Sequence, residues 1–294
     1  MDRAYLQPGD LEAALVALAE RPEAAVIAGG TDLVVGARSG KRQLPQSLIA
    51  IDRLPGLDAI EESPDGGLRI GALVTHSALE ASPVVSGSWS ALSDASALVG
   101  SPATRHVGTI GGNICNASPA MELGSPLIVF KASVELMSKK GVRTVPFESF
   151  VTGPGKTARQ PDELLTAIII PALPTSGRTG SAYQRLEYRQ AMEIAVVGAA
   201  AVVSIDAQKR CWARIALTAV APTCVRAVAA EKLLAGKHLD EEGLLERVGA
   251  AATEAAAPID DVRASAEYRR AMVPVIVRRA LRIALDRALE QPSG

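Results

Sequence analysis

Two pairs of adjacent glycines constrain this sequence more than any other feature. Gly29-Gly30 directly follows a short apolar run at 24–28, a pattern that predicts a strand ending in a turn. Gly111-Gly112 lies in a stretch at 108–120 that is rich in Gly, Asn, Ser and Thr, which predicts a loop. Because glycine has no side chain, such pairs let the backbone approach a ligand and turn several N–H groups one way. A nest of amides of this kind suits a diphosphate.

Short polar residues surround both pairs and could reach phosphate or polyol hydroxyls: Thr31, Thr109, Asn113, Asn116 and Ser118. A tight turn, however, also requires glycine, so the residues alone indicate only a nucleotide-like ligand. Other nucleotide motifs are incomplete. No G-x-G-x-x-G follows a predicted strand, and the P-loop-like stretch at 36–42 is one residue short and lacks the Ser or Thr. The segment Gly155-Lys156-Thr157 lacks the first P-loop glycine, since position 150 is Phe150.

The charge balance excludes several classes of protein. The 294 residues carry 31 Lys and Arg against 32 Asp and Glu, and therefore lack the basic excess that nucleic acid or an anionic membrane surface would attract. No stretch approaches the roughly 20 apolar residues that span a bilayer. The first residues lack the pattern of a secretory signal. We therefore expect a cytoplasmic protein with no nucleic-acid partner and no membrane span.

Metal-binding patterns are missing from the sequence. The three cysteines (Cys115, Cys211 and Cys224) include no C-x-x-C spacing, and three cannot supply the four ligands of an iron–sulfur cluster. The three histidines lie far apart, without a metal-ligand spacing. We expect no metal site in this chain.

A cluster of Pro, Gly, Ser and Thr at 171–180 predicts a domain boundary. We expect one domain over 1–175, with subdomains of about 1–55 and 56–175, and a second over 176–294. Asp10 is a plausible cap for a helix at 11–20, and Lys139-Lys140-Gly141 indicates a hairpin. Beyond the boundary, three strands precede helical patterns, the last of which contains Pro274, expected to kink or interrupt it. The predicted fold class is α+β.

The glycine-rich segments, with others along the chain, resemble the FAD-binding medium subunit of molybdenum hydroxylases. This family includes flavin subunits or domains of xanthine dehydrogenase, carbon monoxide dehydrogenase and bacterial N-heteroaromatic or aldehyde oxidoreductases. The resemblance covers nearly the whole chain in order, most specifically at the paired glycines and at Asn-Ala-Ser-Pro. The segments that carry it are 28–33, 71–76, 99–101, 109–114, 116–120, 155–158, 163–165, 170–171, 183–185 and 194–198.

The resemblance implies a fold and a set of cofactor-binding residues. Two small α+β subdomains of the vanillyl-alcohol-oxidase type, also called PCMH type, should clasp FAD. A C-terminal α+β domain with a three-stranded sheet and a helical bundle should follow. The first loop should wrap the diphosphate through Val26, Ile27, Ala28, Gly29, Gly30, Thr31, Asp32 and Leu33. The diphosphate and ribityl side should be lined by Thr109, Gly112, Asn113, Asn116 and Ser118, and the flavin approached by Val99 and Gly100.

Leu165 is expected near the adenine or the ring, and Glu122 and Arg185 complete the implied site. Some positions depart from the family pattern. Glu122 stands where Asp is usual, Met121 where small residues are common, and Arg185 where Lys is frequent. The extra methylene of Glu122 moves its carboxylate relative to the expected ribityl hydrogen bond, whereas Arg185 keeps the charge but presents a planar fork. No catalytic acid or base is expected in this chain.

The function implied by the resemblance is electron transfer within a larger complex. A molybdenum cofactor on a large subunit would oxidise the substrate, and two [2Fe–2S] clusters on a small subunit would pass electrons to FAD here. An external acceptor (NAD, oxygen or a quinone-like carrier) would receive them, and a dimer of heterotrimers is expected. Three alternatives stay open: a stand-alone flavin oxidase, a flavin-free scaffold subunit because of Met121 and Glu122, and an unrelated NTP-binding module.

Overall fold

The structure, a computed structural model, describes residues 4–173, 177–189, 192–238 and 241–290. The chain begins with a small parallel sheet in the strand order β1-β3-β2. Its elements are β1 (Ala4–Leu6), α1 (Leu11–Glu20), β2 (Ala25–Ile27), α2 (Leu33–Arg38) and β3 (Ser47–Ala50). Helix α1 begins as predicted, because the Asp10 carboxylate accepts a hydrogen bond from the Ala13 amide at 2.8 Å.

A five-stranded antiparallel sheet follows, in the order β4-β5-β10-β6-β7. Strands β6 and β7 form the predicted hairpin around Lys140. The strands are β4 (Ile60–Glu62), β5 (Leu68–Gly71), β6 (Ser133–Ser138), β7 (Gly141–Pro146) and β10 (Leu164–Ile170), with a short ribbon of β8 (Val151–Gly153) and β9 (Lys156–Thr157). The helices are α3 (His76–Ala81), α4 (Ser90–Ala97), α5 (Pro102–Arg105), α6 (Ile110–Asn116), α7 (Gly124–Val129) and α8 (Phe147–Phe150).

The stretch predicted as a loop at 108–120 contains helix α6, so that prediction was wrong. Thr109 caps the helix by accepting a hydrogen bond from the Gly112 amide at 3.0 Å. Ile110 and Ile114 are fully buried on its inner face. Gly111 lies so close to the neighbouring segment that a Cβ there would stand 2.6 Å from the carbonyl oxygen of Ala72. Glycine at this position serves close helix packing, not flexibility.

The C-terminal half contains three nine-residue antiparallel strands: β11 (Arg178–Leu186), β12 (Val197–Ile205) and β13 (Arg210–Thr218). Two-residue strands β14 (Val225–Arg226) and β15 (Lys237–His238) pair with β13. The helices are α9 (Val228–Leu234), α10 (Leu244–Ala252) and α11 (Ala266–Glu290), with a 3-10 turn at Thr253–Ala255. This matches the predicted sheet and helices.

Helix α11 is continuous through Pro274, so the proline does not interrupt it, and the kink expected as the other outcome stays a prediction. Proline inside a helix costs about 3 kcal/mol because it removes one backbone hydrogen bond. The helix nevertheless buries a long apolar stripe against strands β11 and β12, including Val273, Ile276, Val277 and Leu281. Each fully buried side chain of this kind contributes roughly 1.5–3 kcal/mol, so the stripe outweighs the proline. No helix in the described ranges is long and apolar enough to cross a membrane.

A polar seam joins the two halves of the chain. Ser90 donates to the carbonyl of Ser181 at 2.9 Å, and the Tyr183 amide donates to Asp94 at 3.0 Å. Arg287 on α11 holds both oxygens of Asp94, at 2.7 and 3.0 Å. The seam therefore covers the outer edge of β11, which would otherwise be an unpaired sheet edge. The boundary predicted between 175 and 176 falls at residues 174–176, outside the described residues, and stays a prediction.

Asp94→Asn should destabilise the protein by about 1–3 kcal/mol, because it leaves the partly buried Arg287 guanidinium without its carboxylate. Chemical denaturation measures this loss. Asp286→Asn is a matched control, since Asp286 is an exposed neighbour of Arg287 that forms no ion pair with a described residue. It should change stability by less than about 0.5 kcal/mol. Equal losses in the two variants would contradict the role given to the seam.

Candidate cofactor site

The first glycine loop presents a run of free backbone donors. Strand β2 ends at Ile27, the chain bends through 28–32, and α2 begins at Leu33. Gly30 has φ +69°, in the left-handed region that favours glycine. None of the amides from Ala28 to Leu33 donates to an acceptor within the described part of the chain. Backbone amides in a partly buried loop normally find a partner, so this loop is suited to an anionic ligand.

The two glycine loops touch each other. Gly29 packs directly on the backbone of Val107, and a Cβ at this position would overlap the Val107 carbonyl oxygen. A Cβ on Gly108 would stand 3.4 Å from the Thr31 hydroxyl oxygen. Gly108 in turn is held by its neighbours, since its amide donates to the carbonyl of Thr104 at 2.7 Å and its carbonyl accepts from His76 at 3.0 Å. Elements that are distant in sequence therefore form one continuous surface.

The second loop differs from the expectation that its amides would also face a ligand. The Ile110 and Gly111 amides donate to the carbonyls of Val74 and Ala72, both at 2.9 Å. The Gly112 amide is bound by Thr109, as described above. Helix α6 has an unused side-chain acceptor instead. The buried amide oxygen of Asn113 has no hydrogen-bond partner among the described residues. A buried unpartnered acceptor is costly, so a ligand hydroxyl would fit there.

Other predicted site residues surround these two loops. Val26 and Ile27 are half-buried in β2, and Val99 and Gly100 lie half-buried in the bend before α5. Gly100 has φ +53°, which again favours glycine. Ser118 uses its hydroxyl oxygen locally, accepting from the Ala120 amide at 3.2 Å.

Leu165 is only 3% exposed and belongs to the same buried cluster as Ile110 and Ile114, beneath α6. It thus has little surface to offer a ligand, and its expected contact with the adenine or the ring stays a prediction.

A buried ion pair links the C-terminal half to this site. Arg185, with a side chain 1% exposed, donates to Glu122 at 2.7 Å and to Glu187 at 2.7 Å. Burial raises the pKa of Glu122 to about 7, although the Arg185 guanidinium opposes the change. The nearby negative charge of Asp32 raises the same pKa further, so the pair is coupled to the first loop.

Two further groups near the loops were not predicted as parts of the site. His76 is buried beside Gly108, and burial lowers its pKa to about 4 with help from the Arg105 charge, so the ring is neutral at pH 7. Arg42 donates to the side-chain oxygen of Asn116 at 3.3 Å. No local sequence signal could have revealed Arg42, since the contact joins residues 74 positions apart. Within the described ranges, no three His, Cys, Asp or Glu side chains are grouped to hold a metal ion.

Comparisons with known proteins assign the family. A family model described as the FAD binding domain in molybdopterin dehydrogenase matches residues 1–173. The chain belongs to this flavoprotein family. A second model, the CO dehydrogenase flavoprotein C-terminal domain, matches residues 181–284. These matches confirm the expected family, an oxidoreductase flavoprotein subunit, and FAD as its cofactor.

Individual relatives agree with this assignment. The putative xanthine dehydrogenase FAD-binding subunit of Escherichia coli is 32% identical over 277 residues, 94% of each chain. The carbon monoxide dehydrogenase medium chain of Afipia carboxidovorans is 35% identical over 286 residues, 97% of each chain. Carbon monoxide dehydrogenase from Hydrogenophaga pseudoflava matches with a TM-score of 0.90 and 32% identity, over 98% of this chain and 99% of that one. Quinoline 2-oxidoreductase from Pseudomonas putida matches with a TM-score of 0.88 and 29% identity, at the same coverage.

The residues present fit this cofactor. The free amides at 28–33 are suited to the diphosphate of FAD, and the unpartnered Asn113 oxygen is suited to a hydroxyl of the ribityl chain or ribose. The roles of the individual residues stay predictions, which two sets of variants test.

Gly29→Ala should weaken FAD binding about 10- to 100-fold, because the added methyl group separates the two loops and such overpacking typically costs 1–3 kcal/mol. Flavin fluorescence quenching by the purified protein measures the dissociation constant. Gly9→Ala is the control: Gly9 has open space around it, and its substitution should leave the affinity unchanged. Wild-type affinity in Gly29→Ala would show that the loop contact is not needed for the site.

Glu122→Gln should gain stability relative to the wild type as pH rises from about 4.5 to about 7. The folded-state pKa of Glu122 lies above its unfolded value, so the unfolded chain loses this proton first and wild-type stability falls across that window. The glutamine variant lacks this titration. Denaturation at a series of pH values measures the difference, with Glu267→Gln, an exposed carboxyl on α11, as the control. Parallel profiles for wild type and Glu122→Gln would refute the shifted titration.

Proposed function

We propose that this chain is the electron-transfer subunit of a molybdenum-containing hydroxylase or dehydrogenase. It would accept electrons from [2Fe–2S] clusters on a small partner subunit and release them to an external acceptor. A large partner subunit with a molybdenum cofactor would oxidise the substrate. The proposal extends to a dimer of such heterotrimers and to a cytoplasmic location, both of which rest on the expectations from the sequence.

The observation that carries this proposal is the contact of Gly29 and Thr31 with the segment at 107–108, which places the free amides at 28–33 beside the chain that leads into α6, the helix that carries Asn113. Bound there, FAD supplies a centre that takes up electrons singly or in pairs. The chain's own residues bind and orient it. The loop amides hold negative charge, and the buried Glu122–Arg185 pair ties the C-terminal half to the cofactor region.

The names of the relatives support an assembly with partner subunits. One relative is the medium chain of a carbon monoxide dehydrogenase, and another is the nicotine 6-hydroxylase medium subunit of Paenarthrobacter nicotinovorans, 28% identical over 277 residues. The present chain aligns with 97% and 95% of the length of these two chains. The same division of labour among subunits is therefore the function that fits best.

Purification of the chain alone and together with its partner subunits tests the proposal. We expect about one FAD per chain, released by acid denaturation because it is held by hydrogen bonds and backbone contacts. A screen of N-heteroaromatic, aldehyde and carbon monoxide substrates should bleach the flavin absorbance only in the complete complex. Bleaching in the isolated chain would indicate a stand-alone oxidase, and a folded but colourless complex would indicate a scaffold subunit.

A further inference from the structure

Arg42 lies between the two walls of the cofactor site: the first wall is the loop at 28–32 with helix α2, and the second wall is helix α6. It follows helix α2, and its amide donates to the carbonyl of Gly36 at 3.2 Å. Its side chain folds back over Gly36, where a Cβ would stand 3.1 Å from both Cγ and Nε of Arg42. From there the guanidinium donates to the side-chain oxygen of Asn116 at the end of α6. The backbone and a glycine thus place an arginine between the first and second walls.

The charge of Arg42 is not neutralised by an ion pair. Among the described residues, no carboxylate lies within 4.0 Å of its guanidinium, and its recorded side-chain hydrogen bond goes to a neutral amide. Burial raises the pKa of Asp32 in the first loop, and the positive charge of Arg42 partly opposes this increase. The guanidinium therefore lies near the loop whose amides are free, with most of its five donors unused.

This arrangement fits a phosphate. Amide donors supply partial charges, whereas a diphosphate carries full negative charges that a nearby cation balances better. The planar guanidinium can bind two phosphate oxygens side by side, which a lysine ammonium cannot do. Resting on the proposed function, we propose that Arg42 is a phosphate-binding residue that pairs with the diphosphate of FAD and is held in position by Asn116.

Lys41 provides a matched control for Arg42. It is the preceding residue, carries the same charge and is also exposed, and its amide donates to the same Gly36 carbonyl, at 3.0 Å. Its side chain has no recorded contact with Asn116 or with the first loop in the described part of the chain. If only the total surface charge mattered, neutralising Lys41 would weaken FAD binding as much as neutralising Arg42. If Arg42 binds a phosphate, only its neutralisation would weaken FAD binding.

The experiment titrates FAD into full-length wild-type, Arg42→Gln, Arg42→Lys and Lys41→Gln proteins at low and high salt. Arg42→Gln should weaken FAD binding about 10- to 100-fold, and Arg42→Lys about 3- to 10-fold, because lysine keeps the charge but loses the fork. Lys41→Gln should remain within about twofold of the wild type. The salt dependence of the affinity should become shallower in Arg42→Gln alone, which a merely structural role would not cause.

The outcomes separate this inference from the proposed function. If wild-type protein binds no FAD, the proposed function fails together with the inference. If wild-type protein binds FAD and Arg42→Gln binds it equally well, or loses no more affinity than Lys41→Gln, only the role of Arg42 is overturned. An unchanged salt dependence in a weakened Arg42→Gln variant would also overturn it, because the loss would then come from the shape of the loop.

Discussion

The close approach of Gly29 to the Val107 carbonyl is the constraint on which the rest of the site depends. Any side chain at position 29 would push the first loop away from the segment before α6. Through this contact, the parallel-sheet unit at the start of the chain packs against the segment of the antiparallel-sheet unit that leads into α6. In the site that we propose, the amide donors, the Asn113 oxygen and Arg42 would bind one ligand, although they lie on separate elements.

Much of this fold could be predicted from the sequence because its signals are local. The Asp10 cap of α1, the hairpin of β6 and β7, and the strand-turn at Gly29-Gly30 each rest on a few neighbouring residues. Helix α6 was missed because glycine and asparagine have low helix propensity, although Thr109 stood at its start as a capping residue. Packing of Ile110 and Ile114 decides its structure, and burial cannot be read from composition.

The contacts that join distant segments could not be predicted from the residues alone. The pairs Arg42–Asn116 and Arg185–Glu122 join residues 74 and 63 positions apart. Arg185 is the more consequential case. Two carboxylates, Glu122 and Glu187, share one guanidinium that is almost fully removed from water. Losing one partner from such a cluster is far more costly than losing a surface pair, because the remaining charge has no solvent to stabilise it. The site and the C-terminal half are therefore energetically linked.

The two sides of the site satisfy their backbone groups in different ways, and this determines where a ligand would change the hydrogen bonding. Around α6 the backbone amides are already bonded to neighbouring carbonyls and to Thr109, so they need no ligand, and only the Asn113 side-chain oxygen there lacks a partner among the described residues. The run at 28–33 instead leaves its donors to be hydrated until a ligand replaces the water. Loading the dinucleotide would therefore rearrange backbone hydrogen bonding on one side of the cleft alone, while the amides of the opposite side keep the acceptors that they already have.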